Sequence, residues 1–119
     1  MRYKEARSRL TRAVTLMDKL GQLEARKRAM EEVGEDIIPI EAEIIRTQAE
    51  RSMIVQEILG LRDQKAAEML KQRYILGKSL SRQSGVDSRS YSRLAHETSR
   101  AVEIYAHTYG YLDEERVPA

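Results

Sequence analysis

Ser88, Arg89, Ser92 and Arg93 set small hydroxyls beside guanidinium groups within one short stretch of chain. A guanidinium forks onto the paired acceptors of a guanine edge or onto phosphate, and a hydroxyl bonds to either. Lys78, Arg82, Ser90, His96 and Arg100 lie close by and add cations and donors suited to flanking phosphates. This chemistry points to double-stranded DNA, with the four central side chains in the major groove and the other five on the backbone.

Such residues need a helix that carries them outward. The segment GKSLSRQSGVDSRSYSRL, residues 77–94, has the punctuation of a helix-turn-helix. Counted from Gly77 as one, Leu80, Val86, Tyr91 and Leu94 fall at the apolar positions four, ten, fifteen and eighteen. Ser81 supplies the small residue at five and Gly85 the glycine at nine, where a left-handed turn is cheapest without a Cβ. Asp87 is expected to cap the second helix through its side-chain oxygen. Ser84 departs from the pattern, since a larger apolar residue usually packs there. An ordinary αα-corner is the competing reading of the same spacing.

Other chemistry is thin. His96, Glu103 and His107 can align on one helical face, but no HExxH or Cys supports a metal site, and a solvated polar face explains them. Glu31/Glu32 and Glu114/Glu115 read as solvating groups at a helix end and in a tail. The serines around the motif have no base at a spacing that makes a nucleophile, and no glycine-rich phosphate loop is present. Tyr105, Tyr109 and Tyr111 suggest core packing or a subunit contact, with base stacking as the alternative. The expectation is therefore a protein that is not an enzyme, with no cofactor and no metal.

Net charge is only +2, but its distribution is informative. Residues 61–93 hold eight Lys/Arg against three acids, whereas residues 21–60 hold five against nine. Positive charge thus gathers on the segment that the turn pattern singles out. Cys is absent, which suits a reducing cytoplasm. No apolar run is long enough to cross a bilayer, and the start, MRYKEARSRL, lacks the apolar core of a signal peptide. Phe and Trp are also absent, and helix formers dominate, so the fold is expected to be all-α.

The elements that position the motif follow from periodicity. Tyr3, Ala6, Leu10, Ala13, Met17 and Leu20 recur at steps of three and four, which predicts a first helix from near Tyr3 to Glu32 that stops at Gly34. Its stripe fits an intramolecular helical hairpin or, alternatively, an intermolecular coiled coil. Pro39 opens a second helix that ends near Gly60. That helix is broadly apolar toward its end, at Met53, Ile54, Val55, Ile58 and Leu59, which predicts burial between two surfaces. A third helix begins at Asp63, a short one follows Ser79, and the last runs on toward Tyr109. Residues 1–60 are read as a helical hairpin arm for packing or oligomerisation, 61–109 as a trihelical helix-turn-helix domain, and 110–119 as a flexible acidic tail.

The stretch KQRYILGKS, residues 71–79, resembles the opening of the promoter-binding, region-4-like segment of sigma factors and of its copies in phage regulators. There an "L…RY..G.S" phrase leads into the helix-turn-helix; here Leu70, Arg73, Tyr74, Gly77 and Ser79 carry it. With the long charged α-hairpin before it, the chain resembles late-gene transcription regulators of phages infecting Gram-positive bacteria, the RinA and ArpU type. The resemblance implies a cytoplasmic regulator in the bacterial host cell that acts at phage promoters and contacts RNA polymerase. A single small head binds weakly, so a homodimer or higher homo-oligomer is expected. Two alternatives use the same residues: a small DNA-recognition subunit of a phage packaging machine, or a helical inhibitor of a host nucleic-acid enzyme.

Overall fold

The computed structural model describes the backbone of residues 3–87 and 90–116, and the side chains of 3–83 and 90–110. All regular structure among the described residues is helical. Helix α1 spans Tyr3–Glu32, α2 Ile38–Leu59, α3 Gln64–Leu70, α4 Leu80–Asp87 and α5 Tyr91–Arg116. Among the described residues no helix is long and apolar enough to cross a membrane.

Local signals fix the early boundaries. Gly34 takes φ +73°, and Glu35 N–H reaches back to the Met30 carbonyl at 2.9 Å, a Schellman-type closure that satisfies an end carbonyl of α1. Pro39 sits in the first turn of α2, where its missing N–H costs nothing. Asp63 caps α3 by accepting from Ala66 N–H at 3.0 Å.

Helices α1 and α2 run antiparallel. Ion pairs join Arg9 to Glu57, Arg12 to Glu50, Lys19 to Glu43 and Lys27 to Glu41, so numbers fall along α2 as they rise along α1. The solvent-facing pairs among them, such as Arg12 with Glu50, contribute little. The apolar contacts set the register: Ala6, Leu10, Ala13 and Leu16 are wholly buried with Ile54 and Ile58, in a core that also takes Leu70 of α3 and Leu94, Val102 and Tyr105 of α5. A smaller cluster of Leu23, Ile40 and Ile44 closes the turn end.

Two packing expectations need correction. The α1 stripe passes through Leu16, with Met17 and Leu20 only half-buried, because α1 serves both α2 and α5 and its apolar side shifts to face both. The broad apolar end of α2 is not sandwiched: Ile54 and Ile58 face the core, but Met53 is 61% exposed and Leu59 also stands in solvent.

Beyond α3 the helix widens into a π-helical turn at Lys71–Ile75 and stops at Gly77, with φ +69°. Arg51 of α2 anchors this end by donating to the Ile75 carbonyl at 3.0 Å and to the Ala13 carbonyl of α1 at 3.3 Å. Ser79 caps α4 by accepting from Arg82 N–H, and the buried Gln83 amide donates to the Lys78 carbonyl.

Here the expected turn is displaced. Gly85 lies inside α4 rather than at a bend, and Asp87 ends α4 rather than capping the next helix. Ser90 caps α5 instead, its Oγ accepting from Arg93 N–H at 3.2 Å. The start of α5 is set by Leu94, which is wholly buried and whose N–H bonds to the Ser90 carbonyl at 3.1 Å. Tyr91, expected on the packing face, is 54% exposed.

The far half of α5 returns to the arm. Tyr105 OH donates to Glu57 Oε1 at 2.6 Å, and Tyr109 OH donates to the Glu57 carbonyl at 2.6 Å. The helix then continues to Arg116, through residues expected in the tail.

Candidate nucleic-acid interface

Because α5 starts at Tyr91, Ser92 and Arg93 occupy its first turn, directly after the Ser90 cap. Ser92, Arg93, His96 and Arg100 follow at steps of one, three and four residues and are all exposed, opposite the face that buries Leu94, Thr98, Ala101 and Tyr105. The structure therefore brings these four predicted residues onto one outward stripe. Ser90 is exposed but committed to its cap. On α4, Arg82 is exposed; Lys78 precedes the helix and is half-buried. Ser88 and Arg89 lie outside the described residues.

Arg93 is not drawn into the core. Its Nε donates to Glu97 Oε1 at 3.1 Å, one turn along the same helix, and the side chain stays 67% exposed. Such a pair is worth about 0.3–0.5 kcal/mol, far less than a forked contact to guanine at roughly 1–3 kcal/mol. The pair is therefore a weak hold on the guanidinium. The carboxylate also faces Lys65 at 3.9 Å, which keeps it partnered when Arg93 leaves.

The histidines do not form a metal centre with Glu103. His96, Glu103 and His107 are exposed along α5, and no group of three His, Cys, Asp or Glu suited to a metal ion occurs among the described residues. Tyr105 and Tyr109 pack against each other, with centroids 5.0 Å apart, and are taken up by Glu57 rather than offered to bases.

Sequence reasoning missed two features. The first is the hub at Glu57. Its carboxylate accepts from Arg9 Nε at 2.8 Å, from Arg9 Nη2 at 3.1 Å and from Tyr105 OH. Burial pushes the Tyr105 phenol well above its usual range, and the Glu57 bond adds to this; the Arg9 guanidinium is raised by the same carboxylate. The second is a cavity of about 370 Å³ between α1, the π-helical turn, α4 and α5. Part of its wall belongs to stretches the sequence singled out, Arg73, Tyr74 and Ser79 to the "RY" phrase and Leu80, Ser81 and Tyr91 to the turn pattern, but no local spacing announces that they enclose a cavity.

Compared with family models, with curated proteins and with solved structures, the chain matches none.

Proposed function

We propose that this chain is a sequence-specific regulator that binds double-stranded DNA through the first turns of α5, with α4 and α5 forming a helix-turn-helix head and α1–α2 the arm that carries it. One observation supports this above the others: the outward stripe of Ser92, Arg93, His96 and Arg100 at the capped start of a helix whose opposite face is anchored in the core. Reading helices present their N-terminal residues to base edges in this way. The displaced turn keeps that logic, because moving the cap from Asp87 to Ser90 brings Arg93 from the second turn of the reading helix into its first. Resemblance to phage late-gene regulators supplies the biological setting and names RNA polymerase as a second partner.

The reading requires two heads, and the outer face of α2 is the surface that supports pairing with a second copy. Ile38, Ala42, Ile45, Ala49, Met53 and Gln56 follow one another at steps of four and three, and all are exposed. No charged residue falls on that stripe, in a chain that is 34% charged. Small alanines between larger apolar side chains suit close antiparallel contact between two α2 helices.

The test is a gel-shift panel on duplexes selected from a random pool. Arg93→Ala should flatten sequence preference, while Lys78→Ala should weaken all sequences alike and reduce the salt dependence. Unchanged affinity and preference in Arg93→Ala would remove the stripe from the account. Sedimentation separates the architectures: a dimer fits regulation, whereas a closed ring of many chains fits genome packaging.

A further inference from the structure

We infer that the cavity between α1, the π-helical turn, α4 and α5 is a binding site for a nucleotide, held by its phosphate and its ring together. The inference does not depend on the DNA-reading stripe, which uses other residues. The cavity measures about 370 Å³, within the range of roughly 300–1,000 Å³ typical of small-ligand sites. A shallower depression of about 80 Å³ between α3 and α5 is far smaller, and its wall charges Lys65 and Glu97 already meet at 3.9 Å.

The chemistry of the larger cavity is that of an anion site. Arg7 and Arg73 border it, and no carboxylate among the described residues lines it. Neither guanidinium has an acidic partner among the described residues: Arg73 lies over the Tyr74 ring at 5.2 Å, and Arg7 sits near enough to the Tyr74 phenol to favour its ionised form slightly. Two unneutralised guanidiniums beside one cavity fit a phosphate, which accepts forked bonds from both. The first turn of α4 opens on the same space. Ser79 and Ser81 line it; Ser79 Oγ already accepts from Arg82 N–H, and the N–H groups of Leu80 and Ser81 before it have no intrahelical acceptor.

A second observation points to a ligand independently. Thr98 on α5 lines the cavity, is only 7% exposed, and its Oγ1 has no hydrogen-bond partner. A threonine in a helix ordinarily returns its hydroxyl to the carbonyl four residues back, as Thr47 and Thr108 do here at 2.8 Å. The hydroxyl of Thr98 is instead available to a guest, as donor or acceptor.

The rings decide the class of guest. Tyr3, Tyr74 and Tyr91 all border the cavity, Tyr74 buried and the other two exposed at its rim. Cationic and aromatic side chains around one polar space suit a phosphate joined to a planar base. That unit comes either from a free nucleotide or from one residue of a single strand.

The experiment is calorimetry and equilibrium dialysis on the full chain at low salt, with inorganic phosphate, the four ribonucleoside 5′-monophosphates and a short single-stranded oligonucleotide. The expected result is saturable binding of one nucleotide per chain, at least tenfold tighter than phosphate. Arg7→Gln and Arg73→Gln should each weaken binding about tenfold or more, the scale of a lost charge-assisted contact. Thr98→Val, which keeps shape and removes only the hydroxyl, should weaken the nucleotide while leaving the thermal midpoint unchanged or higher. Competition assigns the source: displacement of the mononucleotide by the oligonucleotide at equal base concentration indicates a strand, and failure to displace it indicates a free nucleotide. No saturable binding, binding no tighter than phosphate, or binding indifferent to all three variants would overturn the assignment. Duplex binding that persists in Arg7→Gln is expected, which keeps this test separate from that of the reading stripe.

Discussion

Tyr105→Phe should loosen the tie between α5 and the arm without opening the core. The ring is wholly buried and keeps its packing, so only the hydroxyl is lost. That hydroxyl donates at 2.6 Å to a carboxylate that Arg9 also holds through two bonds. Because Arg9 remains, Glu57 is not left unpartnered, and the cost falls at the lower end of the roughly 1.5–3 kcal/mol typical of a hydrogen bond to a charged group. We expect about 1.5–2 kcal/mol. With a urea slope of about 1–3 kcal/mol/M, the midpoint moves down by roughly 0.5–2 M with the slope unchanged. Alkaline pH supplies a second signature. Burial, then the Glu57 bond, raise the Tyr105 phenol above its ordinary value near 10, so the folded state holds this proton more tightly than the unfolded chain does. Stability from this group is fully present below about pH 10 and declines as pH rises from the unfolded toward the folded value. Tyr109 and Tyr74, also raised by burial, contribute in the same direction. Urea melts at about pH 7 and about pH 11 should therefore show a steeper alkaline loss for the native chain than for Tyr105→Phe. A variant that matches the native midpoint at neutral pH, or loses as much on going alkaline, would refute the hub.

Other substitutions separate the local devices. Gly34→Ala should cost about 1 kcal/mol, because φ +73° is strained for any Cβ although the space there is open, whereas Gly21→Ala, also in open space but inside α1, should add about 0.5–1 kcal/mol; paired thermal melts read both. Ser90→Ala should destabilise by about 1 kcal/mol through loss of the α5 cap, measured in denaturant, and no change would return the cap elsewhere. Ile45→Lys places a charge mid-way along the outer face of α2, where the native side chain is 65% exposed. It should leave the fold intact and shift sedimentation from dimer to monomer, and an unchanged mass would move pairing to another surface.

Features decided within a few residues were legible in the chain. Gly34, Pro39 and Asp63 each mark a helix end by their own backbone or side-chain chemistry, and α1 and α2 follow from them. The co-facial run of Arg93, His96 and Arg100 needed only helical periodicity. The cap of α5 was not legible, because Asp87 and Ser90 are both good caps, and only the continuation of α4 through Asp87 leaves the role to Ser90. Leu16 and Met17 were likewise equivalent until α5 was laid against α1. The Glu57 hub joins residues 48 positions apart in sequence, and the cavity draws its wall from four elements, so neither leaves a local pattern. Exposure of Met53 and Leu59 was hidden for the opposite reason: apolar spacing announces burial, and nothing local marks these two side chains as turned away from the core that takes Ile54 and Ile58.

The central claim is that the first turns of α5 read duplex DNA by sequence. Selection of binding sites from random duplexes, run in parallel with the native chain and Arg93→Ala, tests it most directly. The account predicts a defined motif for the native chain, with at least one position, a guanine by the forked-contact argument, losing its preference in the variant. A native chain that enriches no motif at low salt, or the same motif emerging undiminished from Arg93→Ala, would contradict it.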